Sequence, residues 1–194
     1  MKKIQQPKKQ PELIRKRILE QAIMLAAEKG TSSVSIQSVA TGAGISKGGV
    51  FHHFANKEIL LEEMIKEILF YLDREVENLI DQDLIDYGKF TRAYLKTALM
   101  QNIEGLVSPW TALSMTTLTD STFNSLFAQW LKQKIDLYKN SDDHYDLMLL
   151  RLASDGVWLQ YMTQMISYEQ AIQLTDDLIQ RSYFPKVEKA NATH

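Results

Sequence analysis

Apolar residues return every three or four positions along most of this chain, the spacing of helices that bury one face. Ile14, Ile18, Ala22, Leu25 and Ala26 form a first stripe. Pro11 suits its opening turn, and Gly30, after Lys29, closes it. A second, short helix has Ile36, Val39 and Ala40 inward, with Ser35 as N-cap. Gly42-Ala43-Gly44 breaks it, and Ser46 caps a third helix from Lys47 to about His53. Phe54 returns to the core and Asn56 caps a fourth, long helix, whose stripe is Leu61, Ile65, Ile68, Leu72, Val76 and Leu79. Boundary signals at Ser108-Pro109, 119–121 and 140–142 divide the remainder into helices at about 86–104, 109–118, 121–139, 142–165 and 168–184. No clear run of alternating strand pattern and no internal repeat interrupts the series. The prediction is an all-α chain of about nine helices.

Composition agrees with that class. Of 194 residues, 45% are hydrophobic, enough for a packed core, and Gly and Pro are few. No apolar run reaches the roughly 18 residues that span a bilayer, and the basic start has no apolar run behind it as a secretory signal would. With no cysteine, disulfides and thiolate metal sites are excluded, and a bacterial-type cytoplasm is the expected location.

Charge changes the picture more. Residues 1–57 carry ten Lys or Arg against three acids, whereas the other 137 residues carry twelve against twenty-one. A basic amino-terminal part on an acidic remainder is the footprint of a protein that meets phosphate at one end. The break between the second and third helices lies inside the basic part. Two helices crossing steeply about a short turn offer one helix end to the major groove of DNA. Small residues at 40 and 42–44 permit the close crossing. Gly48 and Gly49 disfavour a helix, yet they clear the way for a phosphate or base edge. Lys47 and Lys57 can neutralise phosphates, and His52 and His53 can donate hydrogen bonds there.

The order Ser35, Val39-Ala40, Ala43-Gly44-Ile45-Ser46, Gly48, Phe51, His53-Phe54 and Lys57-Glu58 resembles the helix-turn-helix of TetR-type (tetracycline-repressor-like) transcriptional regulators. The resemblance covers about the first third of the chain. It implies a DNA-binding domain over 1–57, a helical ligand-binding and dimerisation domain over 58–194, a two-fold dimer, and repression relieved by a small molecule. It implies base or phosphate contacts from Ser46, Lys47, Gly48, Gly49, Phe51, His52 and His53, with Ser35 and Lys57 on the backbone. Phe51 stands where the family often has Tyr, so a hydroxyl contact is missing that His52 or His53 can supply. The glycines at 42, 44 and 48 superficially suggest a dinucleotide loop, but such a turn follows a strand and here a helical pattern precedes it.

No cofactor, metal or catalytic constellation is expected. None of the four His has a Glu three positions before it, and no His-Glu-x-x-His occurs. The remainder is instead rich in aromatic residues and Met, most of them core. Trp110, Met115, Trp158 and Tyr161 are candidate walls for an apolar or aromatic effector. Leu149, Leu152, Ala153, Gly156 and Leu159 give one helix an apolar face with small residues inside it. With Leu174 and Leu178 of the last helix it could form a four-helix dimer interface. Asp155, amid apolar neighbours, either faces solvent, the simpler reading, or anchors a pocket. The function expected is a homodimeric repressor that leaves a palindromic operator when a small effector binds. A DNA-binding regulator without a small-molecule effector is the alternative, and a helical-bundle enzyme a more remote one.

Overall fold

The computed structural model of the chain describes residues 9–100, 102–103, 106–107 and 121–183. Nine α-helices occur among the described residues. They are α1 (Lys9–Lys29), α2 (Ile36–Ala43), α3 (Lys47–His53), α4 (Lys57–Asp81), α5 (Lys89–Ala98), α6 (Ser121–Leu137), α7 (Lys139–Asp142), α8 (Tyr145–Met162) and α9 (Tyr168–Arg181). The fold class is all-α, as the periodicity predicts. The expected helix at 109–118 lies outside the described residues. The helix expected over 86–104 is shorter: it stops at Ala98, and a two-residue antiparallel pairing follows, Asn102 with Val107 and Ile103 with Leu106. β-branched Ile103 and Val107 favour that extended backbone.

The described residues fall into two compact units, one drawn from 1–71 and 101–127, the other from 72–100 and 128–194. In the first, α1 buries Ile18, Leu19, Ala22, Ile23 and Ala26, while Ile14 and Leu25 of the predicted stripe are half-buried. A 3-10 turn, Thr31–Ser33, follows Gly30. The Ser33 hydroxyl donates to the carbonyls of Leu25 (3.0 Å) and Gly30 (2.6 Å), tying the turn to the end of α1. The long stripe of α4 runs through Leu60, Met64, Ile65, Ile68, Leu72 and Val76, all buried, whereas Leu61 and Leu79 are only half-buried.

In the second unit, α5 is the central element: every residue from 90 to 95 is buried. Its start is not capped locally. Gly88 adopts the left-handed conformation (φ 74°) and supplies no side chain. A Cβ there would lie 2.9 Å from the Ser182 carbonyl oxygen, so the position excludes larger residues twice over. The cap is Asp142, fully buried, whose carboxylate accepts from the backbone N–H of Phe90 (3.2 Å) and Thr91 (2.8 Å) and from the Thr91 hydroxyl (2.7 Å). Arg92, also fully buried, pairs with Asp83 at 2.6 Å and donates to the carbonyls of Tyr87 (2.7 Å) and Ile85 (2.5 Å), which fixes the connection from α4 to α5. No described helix is long and apolar enough to cross a membrane.

Candidate nucleic-acid interface and effector cavity

The geometry of α2 and α3 follows from their caps. The Ser35 hydroxyl accepts from the Ser38 N–H (3.0 Å) and the Ser38 hydroxyl accepts from the Ser35 N–H (2.9 Å), a reciprocal capping box. Gly44, at φ 68° and ψ 35°, ends α2 in the left-handed region, and the Ile45 N–H reaches back to the Ala40 carbonyl at 3.0 Å. That six-residue closure turns the chain sharply, a step a Cβ-bearing residue resists. Ser46 then caps α3, its hydroxyl accepting the Gly49 N–H at 3.0 Å. Gly42 lies against α1, since a Cβ there would come within 2.3 Å of the Gln21 side chain. Arg17 of α1 donates to the Ala43 carbonyl at 2.7 Å. Arg15 pairs with Glu63 and places its guanidinium 5.2 Å from the centre of the Phe54 ring. Two of the basic residues counted in the sequence therefore hold helices together.

Helix α3 is pinned by one buried side chain, Val50. Ser46, Lys47, Gly48, Phe51 and His52 are exposed, and Gly49, His53, Lys57 and Ser35 are partly so. Phe51 leaves 51% of its surface to solvent, unusual for a residue that the core could have used. Neither Lys47 nor Lys57 is in an ion pair among the described residues. His53 packs edge-on to His52 at 5.3 Å between ring centres; burial first, then the charges of His52 and Arg15, hold its imidazole below the ordinary value. The chain itself gives no steric reason for glycine at 48, where a Cβ would meet only the Ser46 hydroxyl at 3.8 Å. At 49 it would make ordinary contacts of 3.5 Å. Sequence reading did not single out Gln37 and Thr41, which are exposed on α2 and joined by a 3.1 Å hydrogen bond, a polar pair at helical spacing.

Trp110 and Met115 of the expected effector walls lie outside the described residues. Trp158 and Tyr161 are half-buried, and the enclosed Trp158 indole N–H has no hydrogen-bond partner among the described residues. Neither lines the cavity between α6 and α8, which has a volume of about 370 Å³. Leu131 and Ile135 of α6 face Met148 and Leu152 of α8 across it, and Arg151 and Asp155 supply its polar end. The Asp155 side chain is exposed to that concave space and accepts a 2.6 Å hydrogen bond from the buried Tyr94 hydroxyl of α5. Desolvation by the cavity walls raises its carboxyl above the usual carboxylate range, against the opposing effects of the Tyr94 bond and the Arg151 charge. Tyr94 in turn is pushed well above the ordinary phenol value by burial and by Asp155. Arg151 and Asp155 stand four apart in an apolar helix, a spacing that puts both on one face; that signal could have located the cavity in the sequence.

Of the expected dimer residues, Leu149 (41%), Leu152 (58%), Leu159 (42%) and Leu174 (43%) expose large parts of their surface. Ala153 is exposed, and Gly156 and Leu178 are half-buried. A Cβ on Gly156 would meet nothing within 4 Å.

Comparisons with known proteins agree with this architecture. The profile of bacterial regulatory proteins of the tetR family matches residues 18–64, and that of the tetracyclin repressor-like C-terminal domain matches residues 88–183. The HTH-type transcriptional repressor KstR2 of Mycobacterium tuberculosis is 34% identical over 64 residues, 33% of this chain and 32% of that protein. The match thus spans about a third of that relative's length. A putative TetR-family regulator from Rhodococcus sp. superposes with a TM-score of 0.68 at 17% identity, over 89% of this chain and 100% of that one. The multidrug binding protein EbrR, complexed with malachite green, does so with a TM-score of 0.66 at 21% identity, over 92% and 100%. These two similarities show a shared fold.

Proposed function

This chain belongs to the tetR family of helix-turn-helix transcriptional regulators, and on that premise we propose that it is a homodimeric repressor released from a palindromic operator by a small effector. Residues 1–57 grip DNA, and residues 58–194 carry the effector and dimer functions. Two copies of α3 enter successive major grooves about 34–36 Å apart. Ser46, Lys47, Gly48, Gly49, Phe51, His52 and His53 meet bases or phosphates there, and Ser35 and Lys57 meet the backbone.

The observation that carries this reading is the exposed face of α3. It combines a lysine that is in no ion pair among the described residues, an exposed aromatic ring and a helix end whose glycines the packing of the described residues does not require. Lys47 supplies affinity by counterion release, and Phe51 stacks or packs where sequence is read. The four leucines left exposed on α8 and α9 support pairing of two copies through these helices. Repression is favoured by the printed function of KstR2, and a small aromatic effector by the ligand named for EbrR. The unpartnered Trp158 N–H also supports the effector role, since a buried donor without an acceptor is costly unless a ligand supplies one. Effector binding acts by its unequal affinity for DNA-competent and DNA-released conformations.

A gel shift on DNA flanking the coding region, at graded salt, tests the assignment. Lys47→Ala and His53→Ala each weaken binding while the dimer persists. Lys47→Ala also lowers the logarithmic salt slope by about one. Unchanged affinity in both variants would overturn the interface.

A further inference from the structure

We propose that the cavity between α6 and α8 is a binding site for a compact organic cation. Its positive nitrogen sits at Asp155, and its apolar body lies against Leu131, Ile135, Met148 and Leu152. A volume of about 370 Å³ is that of a small-molecule pocket, and its walls are mainly apolar with a few convergent polar groups.

The charges facing the cavity decide the class of ligand. Besides the Tyr145 phenol, four titratable groups line it: Asp143, His144, Arg151 and Asp155. The Arg151 guanidinium is already engaged, donating to the Thr91 hydroxyl at 2.6 Å and lying 4.0 Å from Asp142, whose fully buried carboxylate balances it. His144 lies against the Tyr87 ring, 5.0 Å between centres. Asp143 and Asp155 are in no ion pair among the described residues, so the cavity carries excess negative charge. Asp155 is held in place by Tyr94, which donates to one carboxylate oxygen; the other has no hydrogen-bond partner among the described residues. A neutral guest would further desolvate that carboxylate without pairing it, and an anion would add like charge. An ammonium group donates to the free oxygen and neutralises it. Tyr145, an exposed aromatic residue that also lines the cavity, adds a ring of the kind that attracts such a cation.

This inference rests on the effector reading for its regulatory consequence alone. Calorimetry on the full chain with phenethylamine, phenethyl alcohol and phenylacetate, three probes of one size and three charges, tests it. The amine binds and raises the melting temperature, while the alcohol and phenylacetate bind more weakly. Asp155→Asn, which still offers Tyr94 an acceptor, lowers amine affinity at least about tenfold, or 1.4 kcal/mol. Met148→Lys, which tethers an ammonium at the cavity wall, abolishes amine binding with the fold intact by circular dichroism. Equal affinity for the alcohol or phenylacetate, unchanged amine affinity in Asp155→Asn, or no binding of any probe would overturn the proposal. So would a change of oligomeric state in Asp155→Asn with amine affinity unmoved, which would assign Asp155 to a second copy of the chain. A gel shift keeps the two readings apart. Amine binding that leaves DNA affinity unchanged supports the cation site and removes its effector role. DNA release by another compound without amine binding overturns the site and spares the effector reading.

Discussion

The guanidinium of Arg17 donates to the Ala43 carbonyl at 2.7 Å, so α1 holds the end of α2 from which the chain turns into α3. A cation at a helix C-terminus satisfies an otherwise orphaned carbonyl and complements the helix dipole. Arg17→Met therefore costs about 1 kcal/mol in urea unfolding. Operator affinity falls as well, although Arg17 need not touch DNA. Full affinity in this variant would show that the turn holds its angle without the bond.

Gly48→Ala separates folding from binding. The added methyl has open space around it and improves helix propensity by roughly 0.5–1 kcal/mol. Thermal stability should rise while operator binding drops, because the methyl occupies the space reserved for DNA. A variant that is more stable and binds normally would leave the glycine without a role in recognition.

Leu149→Glu tests the pairing of two copies. Leu149 is 41% exposed, so the single chain tolerates the charge, whereas a dimer interface would have to bury it. Light scattering should show a folded monomer that binds a palindromic site poorly. A persistent dimer would direct attention to another face.

Asp155→Asn carries a pH signature. The folded state raises this carboxyl's pKa, so ionised Asp155 opposes folding at neutral pH, and that penalty disappears as pH falls through the raised value. The amide removes the penalty. Melting temperature should exceed that of the parent near pH 7, with the difference shrinking on acidification. A constant difference across the range would indicate an effect unrelated to ionisation.

What could be read from the sequence was what neighbouring residues decide among themselves. Ser35, Ser46 and Asn56 cap the helices that follow them, and Gly44 ends α2, because caps and left-handed turns act over three or four residues. Periodicity placed Ile65, Ile68, Leu72 and Val76 of α4 in the core and erred at the ends of the stripe, where Leu61 and Leu79 are only half-buried. Leu60 and Leu61 are adjacent and equally apolar, and tertiary packing alone chose the stripe through Leu60 and Met64. The early end of α5 and the hydrogen bond that holds Asp155 in place lay beyond local reasoning. The Tyr94 partner of Asp155 stands 61 residues away, and no spacing rule reaches that far. At the candidate DNA face the basic residues could be counted but not sorted. Arg15 and Lys47 look alike in the sequence, and only the position of Glu63 shows that one of them holds helices together.

The cap of α5 also has a consequence for biosynthesis. Its backbone donors find their acceptor in Asp142, 51 residues later in the chain. A nascent polypeptide emerging from the ribosome thus presents α5 with a frayed start until α7 has been synthesised, and closing so long a loop is slow. Ribosome-bound chains ending before residue 142 would expose the apolar surface around Phe90 to chaperones and proteases, which makes that interval the vulnerable stage in this protein's production.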